Sequence, residues 1–143
     1  MIVYRKIISL GETTIMNRKI IAIEEAPKAI GPYSQGIAVS GQTETFYFSG
    51  ALGIDPKTGK IEGDVTQQTV QTFKNIDALL KANGLTADNV VKTLVFITDM
   101  RDFPLVNAEY SKYFPSNPPA RSCVAVRQLP LNGLVEIEII AMK

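Results

Sequence analysis

Arg121 stands where a proline-rich loop, Pro118-Pro119-Ala120, runs into an apolar β-run, Ser122-Cys-Val-Ala-Val126. Backbone so constrained on both sides holds a guanidinium in place, and its planar fork suits a carboxylate, met by two parallel charge-assisted hydrogen bonds. A surface ion pair would use the same residue. In the closing run Leu134-Val-Glu-Ile-Glu-Ile139, alternation puts Val135, Ile137 and Ile139 on one face and Glu136 and Glu138 on the other. Two acids on a strand face ordinarily meet solvent. Enclosed in a pocket, one of them would be desolvated and suited to moving a proton, and the pattern leaves open which. Tyr33 follows the turn-forming Gly31-Pro32 and could line a pocket with its hydroxyl or pack in the core. Ser49 adjoins Gly50, where a missing side chain permits close backbone approach at a strand end. Asn107 falls on a helix. Cys123 has apolar neighbours and no base to activate it, so it reads as a small buried residue.

Composition narrows the chemistry further. Among 143 residues there is no histidine and one cysteine. Ser-His-Asp and Cys-His nucleophile systems are thereby excluded, as are His-containing or Cys-rich metal sites. No intramolecular disulfide can form, and a lone thiol suits a reducing compartment. Net charge is +1, from 15 basic and 14 acidic residues. Phosphate binding needs clustered positive charge, so nucleic acid is not an expected partner. No apolar stretch approaches the roughly 20 residues of a membrane helix. The first ten residues do not read as a secretory signal, and the cytoplasm is the expected compartment.

These groups must be positioned by a frame, and local signals outline it. Lys19–Ile23, Gly36–Ser40 and Thr45–Ser49 read as strands, with Gly41–Glu44 as a hairpin turn between the last two. Asp55-Pro-Lys-Thr-Gly59 is a turn. Asp64 caps a helix with Gln67 as its capping-box partner. Thr69, Phe73, Ile76 and Leu80 mark its buried face, and Gly84 ends it. Val90–Thr98 is a β-branched run that reads as a central strand covered on both faces. Asp102 opens a second helix, with Pro104 in its first turn and Phe103, Val106, Tyr110 and Phe114 inward. Strands at Ser122–Val126 and Leu134–Ala141 close the order β-β-β-α-β-α-β-β. Two helices cannot cover both faces of about six strands, so an α+β domain with helices on one face is expected. Oligomerisation is the simplest way to bury the other face.

Taken together, the segments resemble the RidA/YjgF family of reactive-intermediate deaminases. The resemblance rests on Ala26-Pro-Lys-Ala-Ile-Gly-Pro-Tyr-Ser-Gln35, Phe48-Ser-Gly50, Asp55-Pro-Lys-Thr-Gly59, Val106-Asn-Ala-Glu-Tyr110, Pro119-Ala-Arg-Ser-Cys-Val-Ala-Val126, Leu129-Pro130 and Val135-Glu-Ile-Glu138, collinear from about Met16 to Lys143. It implies a chorismate-mutase-like fold, a homotrimer with pockets at the subunit interfaces, and no cofactor. It implies hydrolysis of 2-iminobutanoate and 2-iminopropanoate to 2-oxo acids and ammonia. Carried over by position, Arg121 binds the carboxylate and Glu136 activates water. Tyr33 lines the pocket, Cys123 contributes mainly through its backbone, and Ser49 and Asn107 sit at its edge. Ala51 departs from the family's usual Gln, and Leu131 from a frequent Lys. On this reading Arg121 and Glu136, fifteen positions apart, must converge on one small cavity.

Two rival readings remain. One is a non-catalytic trimer that binds small carboxylates or acts like a chaperone, since fold and pocket do not guarantee turnover. The other is a ribonuclease or translation inhibitor, which the neutral charge and missing histidines disfavour. Residues 1–15 show no period that joins them to the rest of the chain. They read as a dispensable extension, with the functional domain at 16–143. Deleting them is expected to leave the thermal midpoint and activity unchanged. Recovery of only insoluble protein would overturn that boundary.

Overall fold

Six strands and two α-helices follow one another in the expected order in the computed structural model, which describes residues 16–143. The expected extension, residues 1–15, lies outside the described residues. The strands are β1 (Asn17–Ile21), β2 (Gly36–Ser40), β3 (Thr45–Leu52), β4 (Val90–Ile97), β5 (Ala120–Ala125) and β6 (Val135–Met142). The helices are α1 (Val65–Ala82) and α2 (Phe103–Tyr113).

The strands do not form one six-stranded sheet. β1 and β2 pair antiparallel by themselves, while the other four form a sheet in the order β3-β6-β4-β5. β4 and β5 run parallel and the remaining neighbours antiparallel. A single bridge, Ser34 to Ala120, links the two sheets among the described residues. Two prolines account for this break. Pro118 and Pro119 have no amide hydrogen to offer a neighbouring strand. Ser34 takes their carbonyls instead, its hydroxyl donating to Pro118 O at 2.6 Å and its amide to Pro119 O at 3.2 Å.

The hairpin expected at Gly41–Glu44 is also absent, since β2 and β3 do not pair. The amides of Thr43 and Glu44 donate to the carbonyl of Lys143, which seats the start of β3 beside the end of β6. Long-range pairing has overridden a local turn signal.

The core lies between the helices and one face of the larger sheet. Along β6, Val135, Ile137, Ile139 and Ala141 are buried and the intervening residues are not. They pack with Val95 and Ile97 of β4, Phe73, Ile76 and Leu80 of α1, and Val106 and Tyr110 of α2. Burying each large apolar side chain contributes about 1.5–3 kcal/mol before entropy is counted. Both helices therefore sit on one face, as expected. β4 is central, but among the described residues only its helix side is covered. Leu94 and Phe96, on the opposite side, are half-buried.

Helix α1 starts where the capping box predicts. The Gln67 amide donates to Asp64 Oδ1 at 2.9 Å and the Asp64 amide to Gln67 Oε1 at 3.0 Å. Its side chains also tie the sheet in place. Gln68 Oε1 accepts from the Leu134 amide at 2.8 Å, at the entry to β6, and Asn75 Nδ2 donates to the carbonyls of Leu52 and Ile54. Asp64→Ala is expected to cost about 1 kcal/mol, read as a lowered urea midpoint. An unchanged midpoint would show that the cap adds nothing.

Candidate active site

Strand β5 begins at Ala120, so Arg121 is its second residue rather than a loop residue before it. Register decides where its side chain goes. Arg121 lies beside Thr93 of β4, and Thr93 beside Ile139 of β6. Thr93 and Ile139 are both buried under the helices, and residues level with one another across a sheet point to the same side. The guanidinium therefore rises on the helix side. There its Nη1 donates to Asn107 Oδ1 at 2.7 Å.

Three aromatic rings surround the charge. The Arg121 Cζ lies 4.6 Å from the centroid of Tyr110, 5.4 Å from Tyr33 and 5.4 Å from Phe103. Among the described residues no carboxylate pairs with it. Ile30, Tyr33, Phe103, Arg121 and Cys123 line a cavity of about 190 Å³ at this point. Gly31 allows the loop to close over it, because a Cβ there would stand 3.1 Å from Arg121 Nη2. The Tyr33 hydroxyl accepts from the Ile30 amide at 3.3 Å, which braces the same loop.

Burial lowers the pKa of Arg121, opposed by Tyr110, Cys123 and Tyr33, yet an arginine remains charged at any physiological pH. Burial also raises the Cys123 thiol, opposed by the nearby guanidinium. A raised thiol with no base is a poor nucleophile, but Cys123 is only half-buried, in the cavity wall, rather than the enclosed core residue expected from its apolar neighbours. The result is a small, half-enclosed cavity with aromatic walls and a guanidinium that no described carboxylate neutralises, a chemistry suited to a short carboxylate.

Of the residues singled out from sequence, Arg121, Tyr33, Asn107 and Cys123 come together here. Glu136 and Ser49 do not. Glu136 is level with Phe96 of β4 and Leu52 of β3, on the face of the sheet away from the helices. Its carboxylate lies against Gly50, where any Cβ would collide with Oε1. Ser49 adjoins Gly50 in the irregular stretch of β3, where the register with β6 shifts between Phe48 and Ala51. The convergence of Arg121 and Glu136 on one cavity is thus not met within a single chain. Parity along each strand could not reveal this, because it says nothing of how β5 and β6 align through β4. Periodicity alone marks Phe103 and Tyr110 as core. Their spacing to Asn107, four and three residues, was the signal that they share its helix face.

An α+β chain of this topology matches a known group of proteins. Residues 23–143 match the family model described as Endoribonuclease L-PSP. The chain is 44% identical over 128 residues to the 2-iminobutanoate/2-iminopropanoate deaminase of Salmonella typhimurium, covering 87% of this chain and 98% of that one. It is 46% identical over 127 residues to the Bos taurus protein of the same name, covering 88% and 90%. Among solved structures, E. coli TdcF with bound serine superposes with a TM-score of 0.68 at 39% identity, over 87% of this chain and 98% of that one. RidA from a Psychrobacter species gives 0.69 at 38%, over 87% and 99%. This chain belongs to the RidA/YjgF/L-PSP family.

The close contact at Gly50 makes the position of Glu136 testable. The colliding atom is the tip of a side chain, so Gly50→Ala is expected to fold with little change in thermal midpoint while displacing the carboxylate. If Glu136 is a reacting group of the imine deamination for which the relatives are named, hydrolysis should fall roughly 100-fold, the scale of loss when such a group moves by about an ångström. Wild-type hydrolysis would show that the carboxylate's placement does not matter.

Proposed function

We propose that the protein hydrolyses short 2-imino acids, 2-iminobutanoate and 2-iminopropanoate, to 2-oxo acids and ammonia. The observation that carries this reading is the Arg121 guanidinium in a cavity of about 190 Å³, with no carboxylate paired to it among the described residues. The names of the relatives at 44–46% identity support it.

In this mechanism Arg121 takes the substrate carboxylate at the edge left free by Asn107. Tyr33 and Phe103 wall the short side chain. Water adds to the C=N carbon to give a carbinolamine. Glu136 accepts the proton that water loses and returns it to the leaving nitrogen, and the carbinolamine collapses to the 2-oxo acid and ammonia. Positioning alone is worth several kcal/mol, of order 7 at best. An imine is already electrophilic, so little further apparatus is needed.

Because Arg121 and Glu136 occupy opposite faces of one chain's sheet, the site we propose is shared between copies. The helix-side cavity of one subunit meets the uncovered sheet face of the next, which delivers Glu136 and, beside Gly50, Ser49. That face carries half-buried Leu94 and Phe96, with Val124 at 48% exposed and Tyr47 at 78% exposed, a surface suited to burial in the homotrimer. Without such assembly the guanidinium alone would make the protein a carboxylate-binding module, which is the second reading.

Coupling to a threonine dehydratase, with 2-oxobutyrate formation followed, separates the two. Wild type is expected to accelerate the reaction, and Arg121→Ala and Glu136→Gln each to abolish the acceleration. Mixed trimers of the two inactive variants should recover roughly a quarter of wild-type activity, because random mixing restores intact shared sites at about that frequency. Equal rates with and without the protein would end the enzyme reading. No recovery on mixing would end the shared site.

A further inference from the structure

Helix α2 presents three residues to one guanidinium. Phe103, Asn107 and Tyr110 succeed one another at i, i+4 and i+7, a single stripe of a helix, and each meets Arg121. Tyr110 differs from the other two in being wholly enclosed, at 0% exposure, so it cannot touch a ligand in the cavity. It also has a second tie. Its hydroxyl lies 2.8 Å from Thr93 Oγ1, and either atom can donate. Thr93 is the β4 residue level with Arg121 on β5.

These contacts close a ring. The strand ladder carries Arg121 to Thr93, the hydroxyl pair carries Thr93 to Tyr110, and the aromatic face carries Tyr110 back to the guanidinium at 4.6 Å. A tyrosine held at its far end cannot swing, so the plane it offers to Arg121 is fixed. Burial pushes its pKa up to about 12, so it remains a neutral phenol and does not compete as an anion for the guanidinium.

We propose that Tyr110, locked by Thr93, is the positioning residue for Arg121. It sets the plane in which the guanidinium offers its free edge, and thereby the affinity for a carboxylate that it never touches. The inference rests on the reading of Arg121 as the carboxylate-binding group.

Calorimetric titration of the full-length protein with 2-oxobutyrate, a stable product carrying the same carboxylate, tests it. Three variants divide the ring into its parts. Tyr110→Phe keeps the aromatic face and drops the hydroxyl tie, Thr93→Val cuts the tie from the other side, and Tyr110→Leu removes the face. Tyr110→Leu should bind roughly tenfold more weakly, the scale of a desolvated cation–π contact. Tyr110→Phe and Thr93→Val should each bind about threefold more weakly, with the loss of one neutral hydrogen bond. In turnover, KM should rise by the same factors while kcat stays within about twofold, a split that general loosening of the core would not produce. Wild-type affinity in Tyr110→Phe and Thr93→Val would overturn the proposal, and so would a fall in kcat with KM unmoved. These two variants decide the matter even if Tyr110→Leu does not fold. Arg121→Ala serves as the reference. If it binds 2-oxobutyrate as wild type does, the reading of Arg121 itself fails. If it loses binding while the Tyr110 and Thr93 variants do not, only the positioning role fails.

Discussion

A guanidinium held half-buried, with no carboxylate against it among the described residues, is the constraint around which this structure is arranged. An arginine removed from water normally needs an acid to offset its lost hydration. Here aromatic faces and one neutral amide oxygen take that role. Ring quadrupoles attract a cation without cancelling its charge, and an amide orients one nitrogen without occupying the others. An acid at the same place would satisfy the guanidinium and leave it nothing to bind. Neutral support keeps the charge available and costs part of its solvation. That cost is met elsewhere, by the apolar core that α2 shares with α1 and the sheet.

The same arrangement explains why the sheet needs two unlike faces. One face is closed by both helices, and Arg121 rises into the seam between α2 and the edge strand β5. The other carries Glu136 and Glu138 among half-buried apolar residues that no element among the described residues covers. Alternation along β6 makes this division unavoidable. A residue that helps to build the core excludes its neighbour from it, so an acid next to Val135 and Ile137 has to face away from the helices. The proposed union of a base with the guanidinium therefore calls for a second copy of the chain, and the uncovered face supplies the surface for one.

What could be read in the sequence was what local interactions decide. The Asp64–Gln67 capping box and the alternation along β6 from Val135 each depend on residues within a turn or two of one another, and the structure keeps both. What could not be read depended on partners far away. The Gly41–Glu44 turn looked like a hairpin because its flanks are β-formers, yet its amides bond to Lys143, a hundred residues on. Ser34 forms the bridge to Ala120 because two prolines have no amides to offer, a fact visible in the sequence only once the two segments are known to meet. The site divides in the same way. Arg121 and Cys123 share a face by parity, but that face becomes the helix side only through Thr93 and Ile139.

Tyr110 shows why a residue can belong to the core and to the site at once. Periodicity placed it inward, and inward it is, packed against Phe73 and Phe114. Its ring nevertheless has two faces and its hydroxyl a third direction, so packing on one side leaves the other free to meet a cation. Small domains have few positions that are both rigid and adjacent to a cavity. The support behind such a cavity is therefore drawn from the core itself, and its rigidity is inherited from close packing rather than added to it.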